Sequence, residues 1–176
     1  RQIYCFYHHS SLQMKKILLL SDTHGHVDDH IMKYVKESDE VWHAGDIGTP
    51  QVTDTISNLK PLRAVFGNID NHELRLSFPE ELLFECEDMN IYMTHIGGRP
   101  GRYSKGISEK IKSLNPKIFI CGHSHILKIQ FDKVNQLLFI NPGAIGKHGF
   151  HKVRTMVRFV IDKSDIKNME VIEVKR

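Results

Sequence analysis

Short apolar runs, each cut off at once by polar residues, set the rhythm of this chain. Residues 16–21 (KILLLS) read as a buried strand, too short for a helix and almost wholly apolar. In residues 28–36 the apolar side chains Ile31, Met32 and Val35 recur at helical spacing, which predicts a helix lying over that strand. Residues 40–44 predict a strand, 50–59 a helix with Pro50 in its first turn, and 62–66 a strand. Such β-α-β-α-β alternation implies a parallel sheet with the helices as crossovers.

The second half has a different beat. Residues 82–87 and 91–94 predict consecutive strands, with Asp88-Met89-Asn90 as the turn between them. Residues 104–114 predict a helix stopped by Asn115-Pro116, and residues 117–121 predict a strand. Further strand-like runs fall at 127–131, 137–140, 155–161 and 169–174. Short turns join most of them, so an antiparallel, meander-like sheet is expected. With no linker and no internal repeat, the simplest assembly for residues 14–176 is one α/β domain of two packed sheets with helices outside. Residues 1–13 break the rhythm: they lack acidic residues, a period, a starting methionine and the apolar core of a signal peptide. They are expected to be a non-native or disordered leader, with Met14 as the natural start.

Composition narrows the function classes. A chain of 176 residues suits one sizeable core. The net charge of +3 is too small to argue for nucleic acid or a membrane surface. No apolar run approaches the roughly 20 residues that span a bilayer. Cys5, Cys86 and Cys121 are odd in number and show no Cys-x-x-Cys spacing. That argues against a disulfide framework or structural zinc site and favours the cytoplasm. The two internal cysteines, Cys86 and Cys121, and Trp42 are read as core residues.

Chemistry enters through five motifs in order: Asp22-Thr23-His24, Gly45-Asp46, Gly67-Asn68-Ile69-Asp70, Thr94-His95 and Gly122-His123-Ser124-His125. Each follows a predicted strand, and in open α/β sheets sites gather at the carboxyl ends of strands. Asp22 and His24, like His123 and His125, stand one residue apart, so in an extended segment each pair points to one side. Glycine at 45, 67 and 122 permits sharp turns and close backbone approach. Two carboxylates, one amide and four imidazoles are enough donors for two metal ions. Without thiolate they suit Mn, Fe, Zn or Ni, and they suit magnesium poorly. Two divalent ions would outweigh the charges of Asp22 and Asp46, leaving a cationic centre that attracts phosphate and acidifies water.

The motif order resembles the calcineurin-like metallophosphoesterase superfamily over residues 15 to about 162. Ser21-Asp-Thr-His-Gly25, His43-Ala-Gly-Asp46 and Asn141-Pro-Gly143 resemble more narrowly its small single-domain prokaryotic phosphodiesterase branch. The resemblance implies two packed mixed β-sheets in a four-layer α-β-β-α sandwich. It implies that Asp22, His24 and His125 hold one metal, that Asn68, His95 and His123 hold the other, and that Asp46 bridges them. Catalytic weight would fall on Asp46, Asn68 and His95. A metal-bridging hydroxide would attack phosphorus in a small phosphate ester, with two Mn²⁺ ions as the implied cofactors. Many relatives form dimers, which implies a possible homodimer.

One departure matters. Many superfamily members carry a histidine after the Gly-Asn pair that assists the leaving group, whereas this chain has Ile69, which transfers no proton. The small branch shares that absence. His72 stands near enough to substitute, and a solvated loop histidine is the plainer reading. Asp70 is expected to orient a ligand or a loop. After His95, the stretch Gly97-Gly-Arg-Pro-Gly-Arg-Tyr103 offers Arg99, Arg102 and Tyr103 to substrate oxygens, or is simply a solvated glycine-rich loop. His26, His30, His43, His148 and His151 are read as surface residues or as partners of the ligand set. Against the phosphodiesterase expectation stand a monoesterase and a non-catalytic scaffold, since a eukaryotic retromer subunit resembles this family and serves mainly as a platform. All seven expected donors are present here, which favours the enzyme.

Overall fold

Every position of residues 17–20 is apolar because both faces of that strand are covered. Ile17 and Leu19 face one buried layer, whereas Leu18 and Leu20 face another. A computed structural model describes residues 14–176; the expected leader at residues 1–13 lies outside the described residues. In chain order the elements begin β1 (Lys15–Leu20), α1 (Asp29–Glu37), β2 (Glu40–His43), α2 (Pro50–Ser57), β3 (Leu62–Ala64) and α3 (His72–Ser77). They continue with β4 (Glu81–Cys86), β5 (Met89–Thr94), β6 (Gly98–Arg99), β7 (Arg102–Tyr103), α4 (Ile107–Leu114) and β8 (Ile118–Ile120). The last are β9 (Leu127–Asp132), β10 (Leu137–Pro142), β11 (Val153–Asp162) and β12 (Asp165–Lys175).

Two five-stranded mixed sheets result, ordered β12-β11-β1-β2-β3 and β4-β5-β8-β10-β9. The core of each sheet is a parallel trio: β1, β2 and β3 in the first, and β5, β8 and β10 in the second. Between the sheets lies a layer that includes Ile17, Trp42, Phe84, Ile120 and Phe159. Trp42 packs edge-on to Phe84 and Phe159, with ring centroids 5.0 and 5.7 Å away, so one side chain ties the two sheets together. Outside the first sheet, α1, α2 and α3 bury Ile31, Val35, Val52, Ile56 and Leu74. Outside the second, α4 buries Ile107 and Ile111 against Tyr92 and Phe119. The layers therefore run α-β-β-α. No described helix is long and apolar enough to cross a membrane.

The late strands do not form one meander. Two antiparallel hairpins, β9–β10 and β11–β12, go to different sheets, and β8 lies parallel to both of its neighbours. Short turns fix the pairing within a hairpin and say nothing about which sheet the hairpin joins. The turn between β4 and β5 is also shorter than expected. Cys86 pairs with Met89, so Glu87 and Asp88 alone make the turn, with Glu87 at φ +51°. Helix α3 and the β6–β7 hairpin are additions to the expected elements.

Candidate metal centre

The parallel trios give the molecule one functional rim. Asp22 follows β1, Asp46 follows β2, Asn68 follows β3, His95 follows β5, and His123 and His125 follow β8. Backbone hydrogen bonds lace these loops together: Asp22 N–H to Gly45 O, His24 N–H to Asp46 O, and Gly122 N–H to His95 O, at 2.9 to 3.0 Å. Two donor clusters form there. One joins Asp22, His24 and His125; the other joins Asp46, His95 and His123. Within each, the donor atoms all lie within 4.8 Å of one another.

Asp46 reaches toward both clusters. Its Oδ1 lies 3.2 Å from His95 Nε2 and its Oδ2 lies 3.8 Å from His24 Nε2. In the first cluster, Asp22 Oδ1 stands 3.1 Å from His125 Nε2, and the His24 and His125 Nε2 atoms are 3.4 Å apart. Donors sharing one ion at about 2.1 Å are separated by about 3.0–3.4 Å, so these groups fit a metal. Asn68 is exposed and lines a cavity of about 630 Å³ together with His24, Asp46, His123 and His125. Exposed Ile69, Ile126 and Phe150 give that cavity apolar walls.

The backbone of the centre is strained. Asp22, His24, Asp46, His123 and His125 all have φ between +48° and +68°, a region that costs a residue with a Cβ about 1–2 kcal/mol. The pairs therefore do not converge by strand alternation. Asp22 and His24 reach one cluster through left-handed turns, whereas His123 and His125 part company and serve different clusters. Gly67 and Gly122 are required by close approach rather than by φ. A Cβ at Gly67 would lie 2.0 Å from Asp46 Oδ1, and one at Gly122 would lie 2.1 Å from Ser21 Oγ.

Surrounding groups orient the donors. His95 Nδ1–H donates to Ala44 O at 2.8 Å, which turns the Nε2 lone pair inward. Buried Nε2 of His95 and Oδ1 of Asp22 have no hydrogen-bond partner, as expected of atoms that await a cation. The other oxygen of Asp22 accepts from Ser21 Oγ–H at 2.6 Å and His123 N–H at 3.2 Å. Asp70 accepts three backbone N–H groups, from Gly67, Ile47 and Gly48, at 2.7 to 3.1 Å, and so clamps the Asn68 loop to the Asp46 loop.

Fully buried His43 accepts the Gly45 N–H at Nδ1 and donates Nε2–H to Thr23 Oγ1, whose proton goes to Ile47 O. Burial pushes its pKa down to about 4, so it is a neutral strut. For His95, burial opposes the charge, yet Asp46 and Asp22 raise its pKa. For His125 the adjacent Asp22 carboxylate also raises the pKa. For His24 burial prevails and its pKa falls.

Sequence reasoning did not find the work of Asn141. Its Nδ2 donates to Gly122 O at 2.8 Å and Ser124 Oγ at 3.1 Å, holding the loop that carries His123 and His125. The Asn-Pro-Gly triplet that closes β10 is its only local signal. His148 and His151 flank the centre, with ring centroids 4.9 Å from His24 and 5.4 Å from His125. His72 starts α3 and is exposed. Arg99, Arg102 and Tyr103 form a two-residue-stranded hairpin beside the centre. The Tyr103 hydroxyl donates to Asp132 at 2.6 Å, so its proton is already engaged.

Comparisons with known proteins agree with this geometry. The model of the calcineurin-like phosphoesterase superfamily domain matches residues 14–164. A protein of Mycoplasma pneumoniae named "Probable metallophosphoesterase" is 31% identical over 140 residues, 75% of this chain and 80% of that one. Among solved structures, an archaeal phosphodiesterase has a TM-score of 0.68 at 23% identity, covering 90% of this chain and 99% of its own. Zinc-complexed Vps29 of Entamoeba histolytica has a TM-score of 0.69 at 16% identity, covering 91% and 98%.

Proposed function

The chain belongs to the calcineurin-like phosphoesterase superfamily, and from that membership and its paired donor clusters we propose that it is a metal-dependent phosphodiesterase acting on a small substrate. The observation that carries this reading is the Asp46 carboxylate, with one oxygen facing each cluster. Asp22, His24 and His125 would hold one divalent ion, and His95, His123 and Asn68 the other, with Asp46 shared; Mn²⁺ is the proposed metal. When bound, such ions supply positive charge to phosphoryl oxygens and lower the pKa of water.

The chain's own residues do the positioning. Ala44 O fixes the His95 ring, and Asp70 fixes the loops bearing Asp46 and Asn68. Laced loops leave the donors little to reorganise, which is how a preorganised site favours a transition state. Ile69 has no proton to give the leaving group, so the site suits esters whose leaving oxygen departs as an anion. Ile69, Ile126 and Phe150 offer an apolar surface to the second organic arm that distinguishes a diester from a monoester.

The test is Mn²⁺-dependent hydrolysis of bis(4-nitrophenyl) phosphate beside 4-nitrophenyl phosphate, with chelated protein as the blank. Diester turnover that vanishes on chelation and in Asp46→Ala supports the reading. Undiminished turnover by Asp46→Ala would sink it. Absence of turnover of either ester by metal-loaded protein would favour the scaffold alternative.

A further inference from the structure

A second cavity, of about 500 Å³, lies against the donor loop and is lined by Arg99, Arg102, Lys128 and Ser124. It touches none of the six clustered donors, but Ser124 and Ile126 line both it and the cavity over the centre. Because Ser124 sits between His123 and His125, its Cα lies about 3.8 Å from each of theirs. The two cavities therefore adjoin.

Resting on the phosphodiesterase reading, we propose that this cavity is a second anion site. It takes a phosphate of the substrate other than the one cleaved, so the favoured substrate is a diester that carries a further phosphate group.

Three independent features support this. First, Arg63, Arg75, Arg154, Arg158 and Arg176 each donate to an acceptor within the chain. Among the described residues, Arg99 and Arg102 are the arginines with no acceptor. Second, they are direct cross-strand partners on the hairpin, a like-charge juxtaposition that costs free energy unless an anion lies between them. An arginine fork matches phosphate oxygens in geometry as well as in charge. Third, Ser124 Oγ accepts N–H from Asn141 Nδ2 at 3.1 Å and from Ile126 at 3.3 Å, and donates to nothing among the described residues. Its own proton is left for a ligand in the cavity it lines.

The hairpin is held ready rather than loose. Pro100-Gly101, with Gly101 at φ +80°, makes a type II turn between the two arginines. At its base Tyr103 is pinned by Asp132 and packs near the rings of Phe119 and Phe139, at centroid distances of 5.7 and 6.4 Å. Ser104 N–H donates to Gly97 O at 3.0 Å. Tyr103 is thus the anchor of the arginine pair.

Two esters that differ by one phosphate read the site: thymidine 5′-(4-nitrophenyl phosphate) and its 3′-phosphorylated counterpart. We expect the 3′-phosphate to lower KM about tenfold with Mn²⁺-loaded wild-type protein, and that ratio to fall to about one in Arg99→Ala/Arg102→Ala. A wild-type ratio of one, or a tenfold ratio that survives in the variant, overturns the proposal. Calorimetric titration of thymidine 3′,5′-bisphosphate into protein stripped of metal and freed of chelator separates the two readings. If neither ester turns over, the phosphodiesterase reading fails, and the titration still decides the cavity. Binding weakened at least tenfold by the double substitution, and several-fold by Lys128→Ala, supports the anion site. Equal affinity in wild type and double variant, or no binding by either, overturns it.

Discussion

Asp70 touches no donor atom of either cluster, yet two donor loops hang on its carboxylate. Asp70→Ala strands three N–H groups, of Ile47, Gly48 and Gly67. It is expected to cost about 2–4 kcal/mol in urea unfolding and to weaken Mn²⁺ binding about 10–100-fold in calorimetric titration. Gly67→Ala makes a sharper test. Its new Cβ would sit 2.0 Å from Asp46 Oδ1, so Mn²⁺ binding should be lost while circular dichroism still reports the native sheets. Single donors were legible in the sequence because their residue types and neighbouring glycines are local features. The left-handed backbone that aims five of them was not, because φ is set here by loops bonded to one another across the rim.

Helix α1 is moored by one side chain that serves two elements. Asp28 caps it by accepting from Ile31 N–H at 3.0 Å, and receives both terminal nitrogens of Arg154 on β11 at 2.8 and 2.9 Å. Burial works against the Asp28 charge, but hydrogen bonds from His26, Ile31 and Arg154 outweigh it and hold the carboxyl well below its ordinary 3.8. A depressed pKa means this stabilisation is complete above the ordinary value and drains away as pH falls below it. Asp28→Asn, which leaves the buried Arg154 charge without its partner, should lose about 3 kcal/mol near neutrality. The gap to wild type in urea unfolding should narrow steadily below pH 3.8. A constant gap would assign the loss to packing instead. Most elements could be read from apolar runs, and those missed lack such runs. Helix α3 buries only Leu74 and leaves Leu76 exposed, and β6 and β7 have two residues each.

Across the whole molecule, each donor cluster draws on both sheets. Asp22 and His24 leave β1 while His125 leaves β8, and Asp46 leaves β2 while His95 leaves β5. A bound ion therefore staples the two rims. Mn²⁺ at a hundred times its Kd should raise the unfolding midpoint by about 5–10 °C, read by calorimetry. The rise should shrink in Asp22→Asn, which removes a donor of the first cluster and leaves the second intact. The sequence by itself determined the element types, the two-sided burial of the central strands and the motif chemistry, because side-chain alternation and residue type act over a few neighbours. Only the tertiary structure decided that β9–β10 and β11–β12 join different sheets, that His123 and His125 serve separate clusters, and that an arginine hairpin stands beside Ser124. Those outcomes depend on pairings between segments far apart in the chain, which are settled by the burial of whole faces and carry no local mark.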